Sequence, residues 1–322
     1  MCLCCQPLIK AIDAYLLKAD EELYEQLTIE GYLKAKESVA TINEIEELIT
    51  TLLENNADEL LAALDGAVDL KTFFESNWPQ IKKDSKLAQQ LYDIFHDELT
   101  TIMPEYVEAY VQQTDGQLVV TQLTQRTTDW MASWSSELAN LMKLETETEI
   151  ESVLTQGLSD GKSVSEMARA IADSGIRAPG YRARRAALTE VLRAHGYAQL
   201  ESYVQSPAVE EKAWRHTGSY RNAPRQNHVD MDGVRVPKNQ PFTLIGADGS
   251  VYYPMTPRDT CLPAAESVNC HCILQPVVSS EILGMSLEER QRLQAEAVAE
   301  DDGEWMKELD AQNKAKAGIE EA

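Results

Sequence analysis

Between Arg221 and Cys272 the chain reads R-N-A-P-R-Q-N-H-V-D-M-D-G-V-R-V-P, crosses a turn-rich passage, and closes on C-L-P-A-A-E-S-V-N-C-H-C. Three of its six cysteines fall in the last twelve of these residues. Proline and glycine recur too often here for a long helix, and clustered thiols and imidazoles need either a metal or a packed core around them. The tract therefore specifies a small module with short strands, and the rest of the chain must supply its frame.

The frame is acidic and helical. The net charge of -24 is unevenly placed: residues 1–176 hold 12 Lys+Arg against 32 Asp+Glu, residues 177–280 hold 12 against 9, and residues 281–322 hold 5 against 12. Only the middle block can approach a polyanion without strong repulsion, so any DNA contact belongs there and bulk DNA binding by the whole chain is not expected. At 322 residues the length suits two units with tails, at about 100 to 200 residues per domain.

Apolar residues at helical spacing, such as Leu8, Ile12, Leu16 and then Ile42, Ile45, Ile49, Leu53, predict amphipathic helices from about residue 8 to 64. Breaks are expected at Asp65-Gly66, Asn77-Trp78-Pro79, Pro104 and Asp115-Gly116. Residues 117–145 read as helix again, with Trp130 and Trp134 as core residues. Ser163 and Glu166 have the spacing of a capping box. A longer helix then carries Arg177, Arg182, Arg184, Arg185 and Arg193. Short strands are expected at 212–216, 234–236, 242–245 and 251–253, with turns at Asp232-Gly233 and Asp248-Gly249. The expected fold class is α+β: an acidic helical region over 1–149, the module over 150–280, and an acidic helical or disordered tail over 281–322.

The order T-E-V-L-R-A at 189–194, a tryptophan, R-x-x-H-x-x-x-D-G at 225–233 and N-C-x-C at 269–272 resembles the phage Mu F-like minor head protein family, the head morphogenesis proteins of tailed phages. The matching residues are Thr189, Glu190, Trp214, Arg221, Arg225, His228, Asp232, Gly233, Phe242, Asn269, Cys270 and Cys272. One position departs: the family usually has arginine between the closing cysteines, and here it is His271. The resemblance implies a virion protein present in few copies, assembling at or near the portal vertex, with partners among portal, major capsid or scaffold protein. It implies an accessory role in head assembly, DNA packaging or DNA delivery, which fits the expectation, from the lack of a signal pattern, of a protein made in the host cytoplasm. Only 42 residues follow Ser280, too few for an appended enzyme domain.

Read by their chemistry, Cys261, Cys270 and Cys272 with His228 or His271 can supply four ligands for zinc. The same thiols also read as packed small hydrophobes with His228 hydrogen-bonded in a turn, and the sequence leaves both open. A nucleophilic cysteine with Asn269 and a histidine, or a metal nuclease using Asp230 and Asp232, would make the chain a hydrolase; Asp232-Gly233 is more economically a turn. The arginine helix can meet DNA or portal phosphates and carboxylates, or pair within the chain. Cys2, Cys4 and Cys5 sit at the terminus and carry no assignment. The expectation is a non-enzymatic minor head protein, with a virion hydrolase and an assembly chaperone absent from finished particles as alternatives. No apolar run reaches the roughly 18 to 20 residues of a membrane span, and no secretory signal pattern opens the chain.

Overall fold

The computed structural model describes residues 6–172, 179–218 and 224–301, with 303, 304 and 308. In chain order, α1 (Gln6–Glu30) and α2 (Ala35–Asp65) are followed by α3 (Leu70–Thr72), a π-turn over Phe73–Asn77 and α4 (Trp78–Asp84). Next come α5 (Leu87–Thr114), α6 (Gln125–Ser159), α7 (Val164–Ala172) and α8 (Gly180–Gln205). The remaining elements are short: β1 (Val209–Arg215), α9 (Gln226–Asp230), β2 (Arg235–Pro237), β3 (Leu244–Ile245), β4 (Val251–Tyr252), α10 (Ala264–Ser267), β5 (Ile273–Val278), α11 (Ser280–Leu283) and α12 (Leu287–Glu300). The chain is α+β, mostly helical with a few antiparallel strands toward its C-terminus. No described helix is long and apolar enough to cross a membrane.

Local signals account for many of the boundaries. Ser163 Oγ accepts from the Glu166 amide at 3.3 Å while the Glu166 carboxylate accepts from the Ser163 amide at 2.8 Å, a reciprocal cap that starts α7. Asp65-Gly66 and Asp115-Gly116 stop α2 and α5 as expected. Pro104 does not break the chain: it lies inside α5, so that expectation is corrected. A proline removes one ladder hydrogen bond, and a helix flanked by Met103, Tyr106 and Val107, all buried, keeps its course through packing.

Compact units do not follow the linear division at 149/150 and 280/281. One unit comprises residues 1–42, 102–127 and 189–322; the other comprises 43–101 and 128–188. Long helices contribute separate stretches to each, which linear composition cannot reveal. Of the two forms expected for 281–322, the described residues show the acidic helix, α12: Arg290 pairs with Asp115 at 2.9 Å, and Gln294 donates to Gln205 Oε1 at 3.1 Å, tying α12 into the first unit.

The second unit centres on Leu60, Leu64, Phe73, Trp78, Ile150, Leu154, Met167 and Ile171. Trp78 Nε1 donates to Glu151, which Lys82 also engages.

In the first unit, α8 is buried without interruption from Thr189 to Tyr203. A helix enclosed on every side must satisfy its polar side chains internally. His195 does so between Ser38 Oγ (2.8 Å) and Tyr110 Oη (3.0 Å), stacked on Tyr106. Glu201 accepts from the Thr124 amide (2.9 Å) and from Arg126 (3.1 Å). Gln199 makes two hydrogen bonds to the backbone of Leu274, donating to its carbonyl and accepting from its amide, each 3.1 Å. That pair fixes β5 against α8. Gly196 is needed where the loop crosses: a Cβ there would lie 3.3 Å from the Pro257 carbonyl.

The sheet has order β2-β1-β5, all antiparallel, and β3 pairs with β4. In it, Trp214 faces Leu274 and Arg215 faces Ile273.

Candidate metal centre

Strand register does most of the positioning. Since Arg215 pairs with Ile273, one step further along the antiparallel ladder sets His216 opposite Cys272. His216 Nδ1 lies 3.5 Å from Cys272 Sγ. Its backbone amide donates to Asp232 Oδ1 at 2.9 Å, and Thr217 Oγ1 donates to the His271 carbonyl at 2.9 Å, so the strand end is fastened from both sides.

The C-x-C spacing does the rest. In extended backbone, residues two apart point the same way and the one between points oppositely. Asn269, at φ 56°, turns the chain out of α10, and Cys270 and Cys272 then face His228 together. His228 Nδ1 is 3.5 Å from Cys270 Sγ and 3.7 Å from Cys272 Sγ. One ligand atom from each of these three buried residues falls within 4.8 Å of the others.

Behind His228, Nε2 lies 3.0 Å from Glu266 Oε2. Glu266 is itself held by the Ala247 amide (3.0 Å) and by Asn227 Nδ2 (3.1 Å). Burial alone would raise its carboxyl, but these hydrogen bonds and His228 outweigh that and hold it below the usual carboxylate range. An ionised carboxylate only accepts, so His228 donates Nε2–H to Glu266, and in the neutral ring this tautomer leaves the Nδ1 lone pair toward the two sulfurs.

Arg258 braces the loop. Fully buried and at φ 63°, it donates to the carbonyls of Cys270 (2.6 Å), Cys272 (2.9 Å) and Leu192 (2.7 Å). The two thiols are unequal: a hydrogen bond from Cys272, helped by His228 and Arg258 and opposed by burial, pulls Cys270 well below the usual thiol range, while the same bond and burial push Cys272 up. A cavity of about 240 Å³ opens beside them, lined in part by His216, Arg225 and Asn269.

The other motif residues build the walls. Trp214, fully buried, meets His228 and Phe242 edge-on at 5.6 and 5.5 Å between ring centres. Arg225 donates to the carbonyls of Ala265 and Val268, both at 2.7 Å, closing the end of α10. Gly233, at φ 79°, lets its amide reach the Trp214 carbonyl at 2.8 Å. Asp232 is occupied by the His216 amide and Arg215, and Asp230 by Gln226, as turn and helix carboxylates. Thr189 and Glu190 are buried on α8.

Two expected ligands stand elsewhere. His271, the odd member of C-x-C, points to the opposite side, where Nδ1 lies 2.8 Å from the buried Glu30 carboxylate. Cys261 sits before α10 in a turn fixed by Asp259, half-buried at the edge of the core and outside the cluster. His216, Glu266 and Arg258 were not singled out from sequence. The first needs the strand register, and the other two are lone charged residues with no motif around them.

The arginine helix is engaged within the chain. Arg182 pairs with Glu149 (3.0 Å), Arg184 with Glu46 (2.9 Å) and Arg193 with Glu190 (3.0 Å), while Arg185 lies over the Tyr181 ring. Arg177, Arg221, Cys2, Cys4 and Cys5 lie outside the described residues.

A buried carboxylate–histidine–dithiol cluster at the junction of β1, α9 and β5 thus marks a protein organised around a cysteine–histidine module. Residues 148–275 match the model of the phage Mu protein F like family. The chain is also 34% identical over 306 residues to "Uncharacterized protein YqbB" of Bacillus subtilis (strain 168), covering 91% of this chain and 97% of that relative. This chain belongs to the phage Mu protein F like family. No solved structure matches it significantly.

Proposed function

We propose that the chain is a minor head protein of a tailed phage, acting in head morphogenesis at or near the portal and remaining in the particle. The observation that carries this reading is the convergence of the family-motif residues Trp214, His228, Cys270 and Cys272 on one buried cluster within the matched segment, with Arg225, Gly233 and Asn269 shaping the turns around it. Their arrangement serves to hold a fold rather than to present a reacting group to solvent, which favours a non-enzymatic role. On this reading zinc is bound by Cys270, Cys272 and His228, and it adds folding free energy to a module whose strands are only two to seven residues long.

Portal docking falls to the acidic surface, since the net charge of -24 favours a basic or polar protein partner over phosphate. DNA contact is not required: Arg182, Arg184 and Arg193 already face carboxylates.

The test has two readouts. The full chain is co-expressed with the portal protein of the same phage genome and followed by size exclusion at low and moderate salt, and purified particles are assayed for the chain by mass spectrometry. Co-migration and presence in finished particles are expected. Presence in precursor shells and absence from finished particles would make it an assembly chaperone instead, and absence from both would overturn a head role.

A further inference from the structure

We propose that His216 is the fourth protein ligand of the zinc ion, so that Cys270, Cys272, His228 and His216 close its coordination and clasp the end of β1 to the start of β5. The inference rests on the zinc reading above and decides what kind of site it is. Structural zinc has four protein ligands, whereas hydrolytic zinc keeps one position for water.

The distances argue for it. Zn–S bonds of about 2.3 Å and Zn–N bonds of about 2.0–2.1 Å at tetrahedral angles set a sulfur-to-nitrogen edge of roughly 3.5 Å. The contacts from Cys270 to His228, Cys272 to His228 and Cys272 to His216 are 3.5, 3.7 and 3.5 Å. His228 Nδ1 has one lone pair in the neutral ring and meets two sulfurs, so it accepts from only one thiol at a time. A cation between the groups satisfies all.

The other donors nearby are spoken for. His271 Nδ1 is turned to Glu30, Glu266 lies beyond the far nitrogen of His228, and Cys261 is outside the cluster. His216 stands at the edge of the group and at the rim of the cavity, its backbone fixed by Asp232.

The full-length protein is purified, its zinc content measured, and the metal replaced by cobalt(II), whose absorption reports geometry and sulfur ligation. One metal per chain is expected, with tetrahedral ligand-field bands and two-sulfur charge transfer. Outer-shell residues alone alter affinity by about 10–100-fold, so His216→Gln should weaken binding by at least about tenfold and shift the ligand-field bands. His216→Cys should keep the metal and add a third sulfur to the charge-transfer band, which a residue outside the shell would not do. Wild-type protein without metal would overturn the zinc reading itself. Metal-loaded wild type with unchanged affinity in His216→Gln and no added band in His216→Cys would overturn this inference and leave zinc in place.

Discussion

Arg258 and Cys270 are joined by a guanidinium-to-carbonyl hydrogen bond of 2.6 Å, and the same nitrogen reaches the Cys272 carbonyl at 2.9 Å. A single buried side chain thereby sets the path of the backbone that presents both thiols. Arg258→Ala removes three charge-assisted hydrogen bonds, at about 1.5–3 kcal/mol each, and leaves the Cys270 carbonyl buried without this donor. A loss of at least about 3 kcal/mol in denaturant unfolding is expected, and Arg258→Lys should recover only part of it, because an ammonium cannot fork as a guanidinium does.

Acid should weaken the first unit before most carboxylates titrate. Burial, reinforced by the Arg258 charge, pulls His195 down to about 3 from its ordinary 6.5. Above 6.5 both folded and unfolded chains hold it neutral. As pH falls below 6.5 the unfolded chain takes up a proton that the folded one refuses, so this contribution is lost at about 1.4 kcal/mol per pH unit until pH nears 3. Unfolding free energies at pH 6.5 and 5.0 should therefore differ more for the wild type than for His195→Gln. Equal slopes would contradict the assignment.

Glu266 orients His228 through Nε2, so its removal should be felt at the metal. Glu266→Ala is expected to weaken metal binding by about 10–100-fold, with Glu266→Gln intermediate because its amide oxygen still accepts from Nε2. Competition with a chromophoric chelator measures both; identical affinities would remove Glu266 from the site.

Glu201, fully buried, anchors Thr124 and Arg126. Arg126 keeps its pair with Asp301, so Glu201→Ala should cost about 1–3 kcal/mol for each buried donor left unmatched. The exposed pair Arg292–Glu296 gives the control: Glu296→Ala should stay within about 0.5 kcal/mol.

What could be read in advance was whatever depends on near neighbours in the chain. The Ser163–Glu166 cap, the Asp248-Gly249 turn, with Gly249 at φ 83°, and the shared orientation of Cys270 and Cys272 follow from spacing alone. Four of the five strands were anticipated within a few residues; β5 was not, since I-L-Q-P-V-V carries a proline that demotes it. His216 escaped because opposing it to Cys272 requires the pairing of strands some 58 residues apart. The division of the chain escaped for a similar reason, being set by which helices pack together and not by where composition changes.

The unbroken burial of α8 from Thr189 to Tyr203 has a kinetic counterpart. Backbone amides there can meet solvent only when the surrounding unit opens as a whole, so they should be the slowest to exchange with deuterium, with protection approaching the global unfolding free energy. The T-E-V-L-R-A stretch of the family resemblance therefore lies inside this unit and not on its surface. A binding event could register there only as a change in how long the entire unit stays shut.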